Sequence, residues 1–364
     1  MDDIVEWLNG SSYLKPLSSA CKMCAEGSKM VILITGLCPA NCFYCPLSIE
    51  KQNKDRIFAD EWELDSENDV EKLFLETKYI GAKGAGITGG DPLIVWQRTE
   101  KYIKILKEKF GKNFNIHLYT SGLKNIDKIK NLVDVGLDEI RFHPDPKEWN
   151  DMKKSKIKDA IENSIDFNVK TAIEIPVLPD KVNEIFNLIS WADNKKIDYI
   201  NLNELEFSET NAESLIFKKY DVKDDISSAV FGSEKTAYEI LDKCLKSNFK
   251  IGIHYCSSSF KDGIQLKNRI FRRAKNIKKP YQEITEDGTL LFGIIESDND
   301  ISKIFSFLIS APNLKDKIFL NNKKNRIETS LEIIKNFEKN KDYKCFIIEE
   351  YPTADALEVE RIPL

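Results

Sequence analysis

The sequence predicts an α/β protein: a partial or near-complete (β/α) barrel of parallel strands with a small C-terminal α+β appendage. Three observations carry this reading. Short β-rich runs alternate with longer stretches of helical period from about residue 30 to residue 260. That alternation implies right-handed crossover units and a parallel sheet, and six or seven units suit a barrel better than a short open sheet. After Pro280 the alternation gives way to a hairpin pattern and a β-rich tail. A flavodoxin-like doubly wound sheet is the alternative.

In order, the expected strands are 30–37, 84–88, 114–119, 138–143, 170–177, 199–205 and 250–256. Between them the apolar spacing predicts helices over 66–80, 98–110, 124–135, 156–167, 181–194 and 234–248. Ser66 is an N-cap candidate for the first of these, ahead of Val70, Leu73, Phe74 and Ile80. Residues 283–296 predict a hairpin turning at Glu286-Asp287-Gly288, followed by helices over 301–310 and about 326–339, then a β-rich stretch from Tyr343 to Val359. The organisation is an N-terminal extension (1–29), a barrel (30–260), a basic helix (261–279) and a small α+β domain (280–364).

Composition narrows the function classes. The 364 residues are 42% hydrophobic with a formal net charge of −5, so a sizeable core can form and the molecule as a whole does not attract nucleic acid. No apolar run approaches the roughly 18 residues that a membrane span requires. The opening Met1-Asp2-Asp3-Ile4-Val5-Glu6-Trp7 is acidic and unlike a signal peptide, which makes the cytoplasm the expected location. Five of the eight cysteines lie between positions 21 and 45, a crowding that points to metal rather than to disulfides. Cys244 and Cys345 read as core residues.

In barrels the C-terminal ends of strands form the site. Here they are polar: Thr35-Gly36-Leu37-Cys38, Thr88-Gly89-Gly90-Asp91, Thr120-Ser121-Gly122, His143-Pro144-Asp145, Glu174-Ile175-Pro176, Asn203-Glu204 and His254-Tyr255-Cys256. The first leads into Cys38-Pro-Ala-Asn-Cys42-Phe-Tyr-Cys45. Spacings of three and two residues let one loop place thiolates at three corners of a cubane [4Fe–4S] cluster, leaving the fourth iron open to a ligand. Zinc suits this loop poorly, since structural zinc takes four protein ligands, commonly in pairs.

Cys-x3-Cys-x2-Cys with aromatic Tyr44 before the last cysteine resembles the signature of the radical S-adenosylmethionine (SAM) superfamily. Within it, the wording around the cysteines is similar to proteins related to the pyruvate formate-lyase activating enzyme, including archaeal ones. The resemblance covers about residues 28–260. It implies SAM on the open iron, reductive cleavage to a 5′-deoxyadenosyl radical and hydrogen abstraction from a substrate. Gly89-Gly90-Asp91-Pro92 resembles the family's Gly-Gly-Glu-Pro turn, which holds the SAM amino group; Asp91 is one methylene shorter than the usual Glu. Thr120 and Ser121 resemble the element that contacts SAM with small hydroxyls, and Glu174-Ile175-Pro176 lies where a later strand meets the ribose or adenine. An electron donor (ferredoxin, flavodoxin or a reductase) is implied as a partner. The resemblance thus implies a metal-binding iron–sulfur oxidoreductase.

Two features stand outside that resemblance. Cys21-Lys-Met-Cys24 precedes the first strand and Cys256 ends the last. In a closed barrel those strands are neighbours, so the three thiols can form a second site: an auxiliary iron–sulfur cluster, a zinc site, or a reduced pair without metal. His254, two residues from Cys256, is expected to point to the opposite face. From Lys261 to Lys279 eight residues are basic against one acid, with Leu266, Ile270, Ala274 and Ile277 at helical spacing. This is either a solvated charged helix face or a surface for a phosphate-bearing substrate such as RNA, with Arg272 and Arg273 as its candidate contacts. The functional readings are thus a radical SAM enzyme that abstracts hydrogen from an unidentified substrate, RNA or protein among the candidates, an RNA-modifying or sulfur-inserting enzyme using a second cluster, and a non-catalytic iron–sulfur or zinc protein.

Overall fold

A computed structural model describes residues 3–337 and 341–364, and it divides into two compact units. The first comprises the chain up to Lys78 and Ala82–Leu266; the second comprises Tyr79–Gly81 and Lys267–Leu364. The division falls at Leu266, inside the stretch that the sequence set apart as a basic helix.

In the first unit seven strands run parallel in chain order: β1 (Lys29–Thr35), β2 (Gly84–Gly89), β3 (Asn115–Thr120), β4 (Glu139–Phe142), β5 (Lys170–Val177), β6 (Tyr199–Glu204) and β7 (Gly252–Cys256). Each lies within about two residues of its expected position. Crossover helices α2 (Val70–Tyr79), α3 (Trp96–Phe110), α4 (Ile129–Asp134), α5 (Lys158–Ile165), α6 (Val182–Asn194) and α8 (Ser233–Lys246) separate them, with α7 (Ala212–Phe217) added ahead of α8. Helix α3 shows why the pattern was readable. Thr99, Tyr102, Ile103 and Leu106 recur at helical spacing and are buried, while lysines fill the opposite face.

The barrel is partial. On its outer side β1 pairs antiparallel with Ile57–Ala59, and β7 pairs antiparallel with Ser12–Leu14, so β1 and β7 are not neighbours. The N-terminal extension therefore reaches β7 through its own strand and not through closure of the ring. Ser66 is not an N-cap either. It makes a turn, accepting from Asn68 N–H and Asp69 N–H, and α2 begins only at Val70.

The second unit carries an antiparallel sheet in the order Ile318–Asn321, Arg326–Thr329, Leu290–Glu296, Lys344–Glu350, Glu358–Pro363, with Glu283–Ile284 paired to Leu290–Glu296 as the expected hairpin. Helix Ile301–Leu308 packs Ile301 and Leu308 into a core with Ile295, Ile318, Ile327, Ile334 and Cys345. The helix expected over 326–339 is replaced by strand Arg326–Thr329 and one turn at Leu331–Ile334; residues 338 and 339 lie outside the described residues. Buried charge explains the strand. Arg326 pairs with Glu328 on its own strand and with Glu350 two strands away, each at 2.7 Å.

Burial raises the Glu328 carboxyl, but hydrogen bonds from Tyr281, Asn321 and Arg326 outweigh it and bring it to about 2. A free glutamate titrates near ~4.3, so this group stabilises the fold above that pH and its contribution disappears as pH falls through about 2. Amide exchange along Arg326–Thr329 should accelerate across that window, and Glu328→Gln should flatten the acid dependence. An identical acid profile in the variant would contradict the assignment.

Candidate functional site

The C-terminal ends of the parallel strands gather around the loop that follows β1. Two backbone hydrogen bonds join this loop to the end of β2: Gly90 N–H to Thr35 C=O (2.7 Å) and Asp91 N–H to Leu37 C=O (2.8 Å). The glycines are required by that approach. A Cβ on Gly89 would stand 2.1 Å from the Thr35 oxygen and one on Gly90 2.2 Å from the Leu37 oxygen; Gly89 also has φ +134°.

Asp91 is fully buried, and protein donors surround its carboxylate. Oδ1 accepts from Leu93 N–H (3.0 Å) and the Thr120 hydroxyl (2.9 Å); Oδ2 accepts from Ser121 N–H (3.1 Å) and the Ser121 hydroxyl. Four donors match the roughly four lone-pair sites of a carboxylate. The side chain therefore welds the β2 end to the β3 end. Thr120 and Ser121 serve that knot. What the two turns leave half-exposed is backbone at Thr88, Gly89 and Gly90.

Further anchors hold the cysteine loop, formed by residues distant in sequence that no local pattern announces. Gly36 N–H donates to Lys54 C=O (2.8 Å), closing the loop on itself. Arg98 of α3 grips Asp55 with two bonds (2.6 and 2.9 Å) and the Ile34 carbonyl with a third (2.9 Å), while the Thr35 hydroxyl also donates to Asp55. The Arg98 bonds hold the Asp55 carboxyl below its usual range. At the far end, Asn211 Nδ2 donates to Tyr44 C=O (3.1 Å) and the Thr210 hydroxyl to Cys45 C=O (3.0 Å).

Cys38, Cys42 and Cys45 are partly exposed free thiols on this loop, close enough for the charge of each to act on the others. Burial pushes Cys38 up to about 11 and raises Cys42, so removing their protons calls for a compensating cation. Among the described residues no three His, Cys, Asp or Glu side chains converge on the position of a single metal ion. A cubane takes its thiolates at separate corners and does not require such convergence. The donor set fits a cluster.

Beneath the strand ends the barrel interior is charged. Arg141 of β4 is buried between Glu139 and Glu174, at 2.6 Å from each, and reaches Ser18 Oγ (3.1 Å) and Cys21 Sγ (3.4 Å). Ser18 caps helix α1 (Ser19–Ala25), which carries Cys21 and Cys24. Cys21 Sγ meets Asn201 Oδ1 (3.5 Å), the oxygen that His254 Nδ1 also contacts at 2.9 Å. His254 thus faces inward on the same side as Cys256, because residues two apart on a strand share a face. Cys21, Cys24 and Cys256 lie near enough to interact electrostatically, and burial pushes Cys24 up to about 11 and Cys256 higher still.

The basic stretch is divided between roles. Lys261 pairs with Glu206 in a π-helical turn, Lys261–Leu266. Arg272, on helix α9 (Lys267–Ile277), donates to the Ile80 and Gly81 carbonyls at 3.0 and 2.6 Å. Arg273 is buried, with its guanidinium over the Tyr79 ring at 5.2 Å. Arg272 thus spends two of its nitrogens on backbone carbonyls, and Arg273 is turned away from solvent.

The radical SAM superfamily model matches residues 32–192, and a model described as a domain of unknown function (DUF8061) matches 288–364. A protein of Methanocaldococcus jannaschii named "Putative glycyl-radical enzyme activating enzyme" is 41% identical over 359 residues, covering 96% of this chain and 93% of that protein. The chain belongs to the radical SAM superfamily. It is also similar to a GTP 3',8-cyclase of Helicobacter pylori, at 28% identity over 221 residues, covering 56% of this chain and 64% of that protein. Among solved structures, Streptococcus suis SuiB bound to its precursor peptide SuiA aligns with a TM-score of 0.46 at 16% identity, over 64% of this chain and 48% of that one. Membership of the superfamily makes the chain an enzyme of the radical SAM type and implies a [4Fe–4S] cluster and SAM. Among the described residues no helix is long and apolar enough to cross a membrane.

The Asp91 knot predicts a stability effect that needs no cofactor. Asp91→Asn places an amide against at least one donor pair and should lower urea-unfolding stability by about 1–3 kcal/mol in protein without cluster or SAM. Unchanged stability would return Asp91 to a purely ligand-binding role.

Proposed function

We propose that this chain binds a [4Fe–4S] cluster through Cys38, Cys42 and Cys45, holds SAM beside it, and generates a radical on a protein substrate. The observation that carries this is the three-thiol loop, fastened at one end to the β1 and β2 termini of the partial barrel and at the other to Thr210 and Asn211 beyond β6. The cluster would supply one electron to SAM, drawn from a ferredoxin, flavodoxin or reductase, and so release a 5′-deoxyadenosyl radical that takes a hydrogen atom.

The protein's part is placement and shielding. Backbone at Thr88, Gly89 and Gly90 would offer SAM polar groups beside the cysteine loop, because Asp91 and the Thr35 and Leu37 carbonyls hold that turn in place. The Arg141–Glu174 pair and helix α1 fill the barrel below and keep water from reaching the site from that side.

The name of the 41% identical relative supports a polypeptide substrate, since that likeness spans nearly the whole of both chains. Ile216, Phe217, Val222, Ile226 and Phe231 are exposed on the segment after Asn211 and suit contact with a protein surface.

Anaerobically reconstituted protein given SAM and a strong reductant should yield 5′-deoxyadenosine, and Cys42→Ala should abolish both that yield and iron binding. A wild-type protein fully loaded with iron that produces none would sink the proposal.

A further inference from the structure

Asn203, on β6, carries hydrogen-bonding capacity that the protein leaves unused. Residues two apart on a strand share a face, and Asn201 of the same strand donates to Glu174 Oε2 (3.3 Å) inside the barrel. Asn203 does the same one step nearer the rim, its Nδ2 donating to Glu174 Oε1 at 2.9 Å. A carboxylate can only accept, so this contact decides which end of the Asn203 amide is which. Glu174 is held in turn by Arg141 at 2.6 Å, and Arg141 by Glu139 and by Ser18 at the start of helix α1.

The other half of the Asn203 amide is open. Among the described residues no donor meets Oδ1, and Nδ2 keeps a second hydrogen. The neighbours of Asn203 across the sheet are Pro176 of β5 and Cys256 of β7. Proline has no polar side-chain atom, and the Cys256 sulfur is taken by Gln265 Nε2 at 3.7 Å. Neither satisfies the amide from the side. Asn203 is half-buried, which leaves these groups accessible from the barrel mouth. An acceptor beside a donor matches the N–H and C=O of one extended residue, which are exchanged as a pair between antiparallel strands.

We propose that Asn203 binds the main chain of the substrate polypeptide, its Oδ1 accepting an N–H and its second Nδ2 hydrogen donating to the C=O of the same residue. This rests on the polypeptide reading given above and deepens it. Main-chain groups are the only polar groups that a glycine residue offers, so recognition of this kind does not depend on a side chain at the residue held.

The experiment is anaerobic titration calorimetry of the reconstituted full chain, loaded with cluster and SAM, as wild type, Asn203→Ala and Asn203→Leu. The probe is the blocked peptide acetyl-Ala-Gly-Ala-amide, with analogues in which one backbone N–H at a time is replaced by an ester oxygen. The parent peptide should bind wild type saturably. One ester should bind about five- to tenfold more weakly, the worth of one hydrogen bond. In both variants parent and esters should bind equally, because the cycle isolates the contact made by Asn203.

Equal binding of the parent and every ester to wild type would overturn the proposal. So would an ester penalty that survives in the folded variants, or a parent peptide that does not bind. If circular dichroism shows that neither variant folds, the wild-type esters decide: a penalty supports the proposal and equality overturns it. 5′-Deoxyadenosine is assayed in the same samples after a strong reductant is added. Its formation beside a negative binding result fails this inference alone, whereas its absence from iron-loaded wild type fails the proposed function.

Discussion

Two backbone hydrogen bonds, from Gly90 and Asp91 to the carbonyls of Thr35 and Leu37, fasten the cysteine loop to the neighbouring strand end. Each is worth only about 1 kcal/mol in isolation. Their importance is geometric. They require two residues without side chains at the point of approach, and they put the carboxylate of Asp91 under the turn, where it joins the next strand end as well. A parallel sheet places all its C-terminal ends on one rim; these bonds convert that rim into a connected frame for three thiols.

The other anchors extend the frame without touching the thiols. Arg98 and Asp55 hold the returning arm of the loop, while Thr210 and Asn211 hold the carbonyls next to Cys45 and Tyr44. Below it, Arg141 sits fully desolvated between two carboxylates. Breaking one member of such a buried set leaves an uncompensated charge, which costs far more than the intact set contributes. The interior is thus a rigid floor, and helix α1 with its two cysteines is part of that floor.

Much of this was legible in the sequence, and the limits have physical causes. Seven strands and six crossover helices followed from apolar periodicity, because each packs one face against a common core. The cysteine spacing and the Gly-Gly-Asp-Pro turn lie within short local windows. The Arg98–Asp55 pair, the Asn211 contact and the Tyr44–His143 pair join residues 43, 167 and 99 positions apart, and nothing periodic announces them. The strand at Arg326–Thr329 was hidden because Ile327, Leu331 and Ile334 happen to fall at helical spacing, while the buried partners of Arg326 and Glu328 are set by the sheet. Asp91 was recognised as important, but the sequence could not reveal that its lone pairs are filled from within. The strand count points to a partial or near-complete barrel, and two antiparallel edge strands flank its open ends.

The proposed function requires that this frame hold a cluster with one iron open to SAM. EPR of the chemically reduced, cluster-loaded protein, recorded before and after adding SAM, tests it most directly. A change in g values on addition is predicted, since SAM would enter the coordination sphere of an iron that no cysteine holds. Superimposable spectra at saturating SAM would contradict the account.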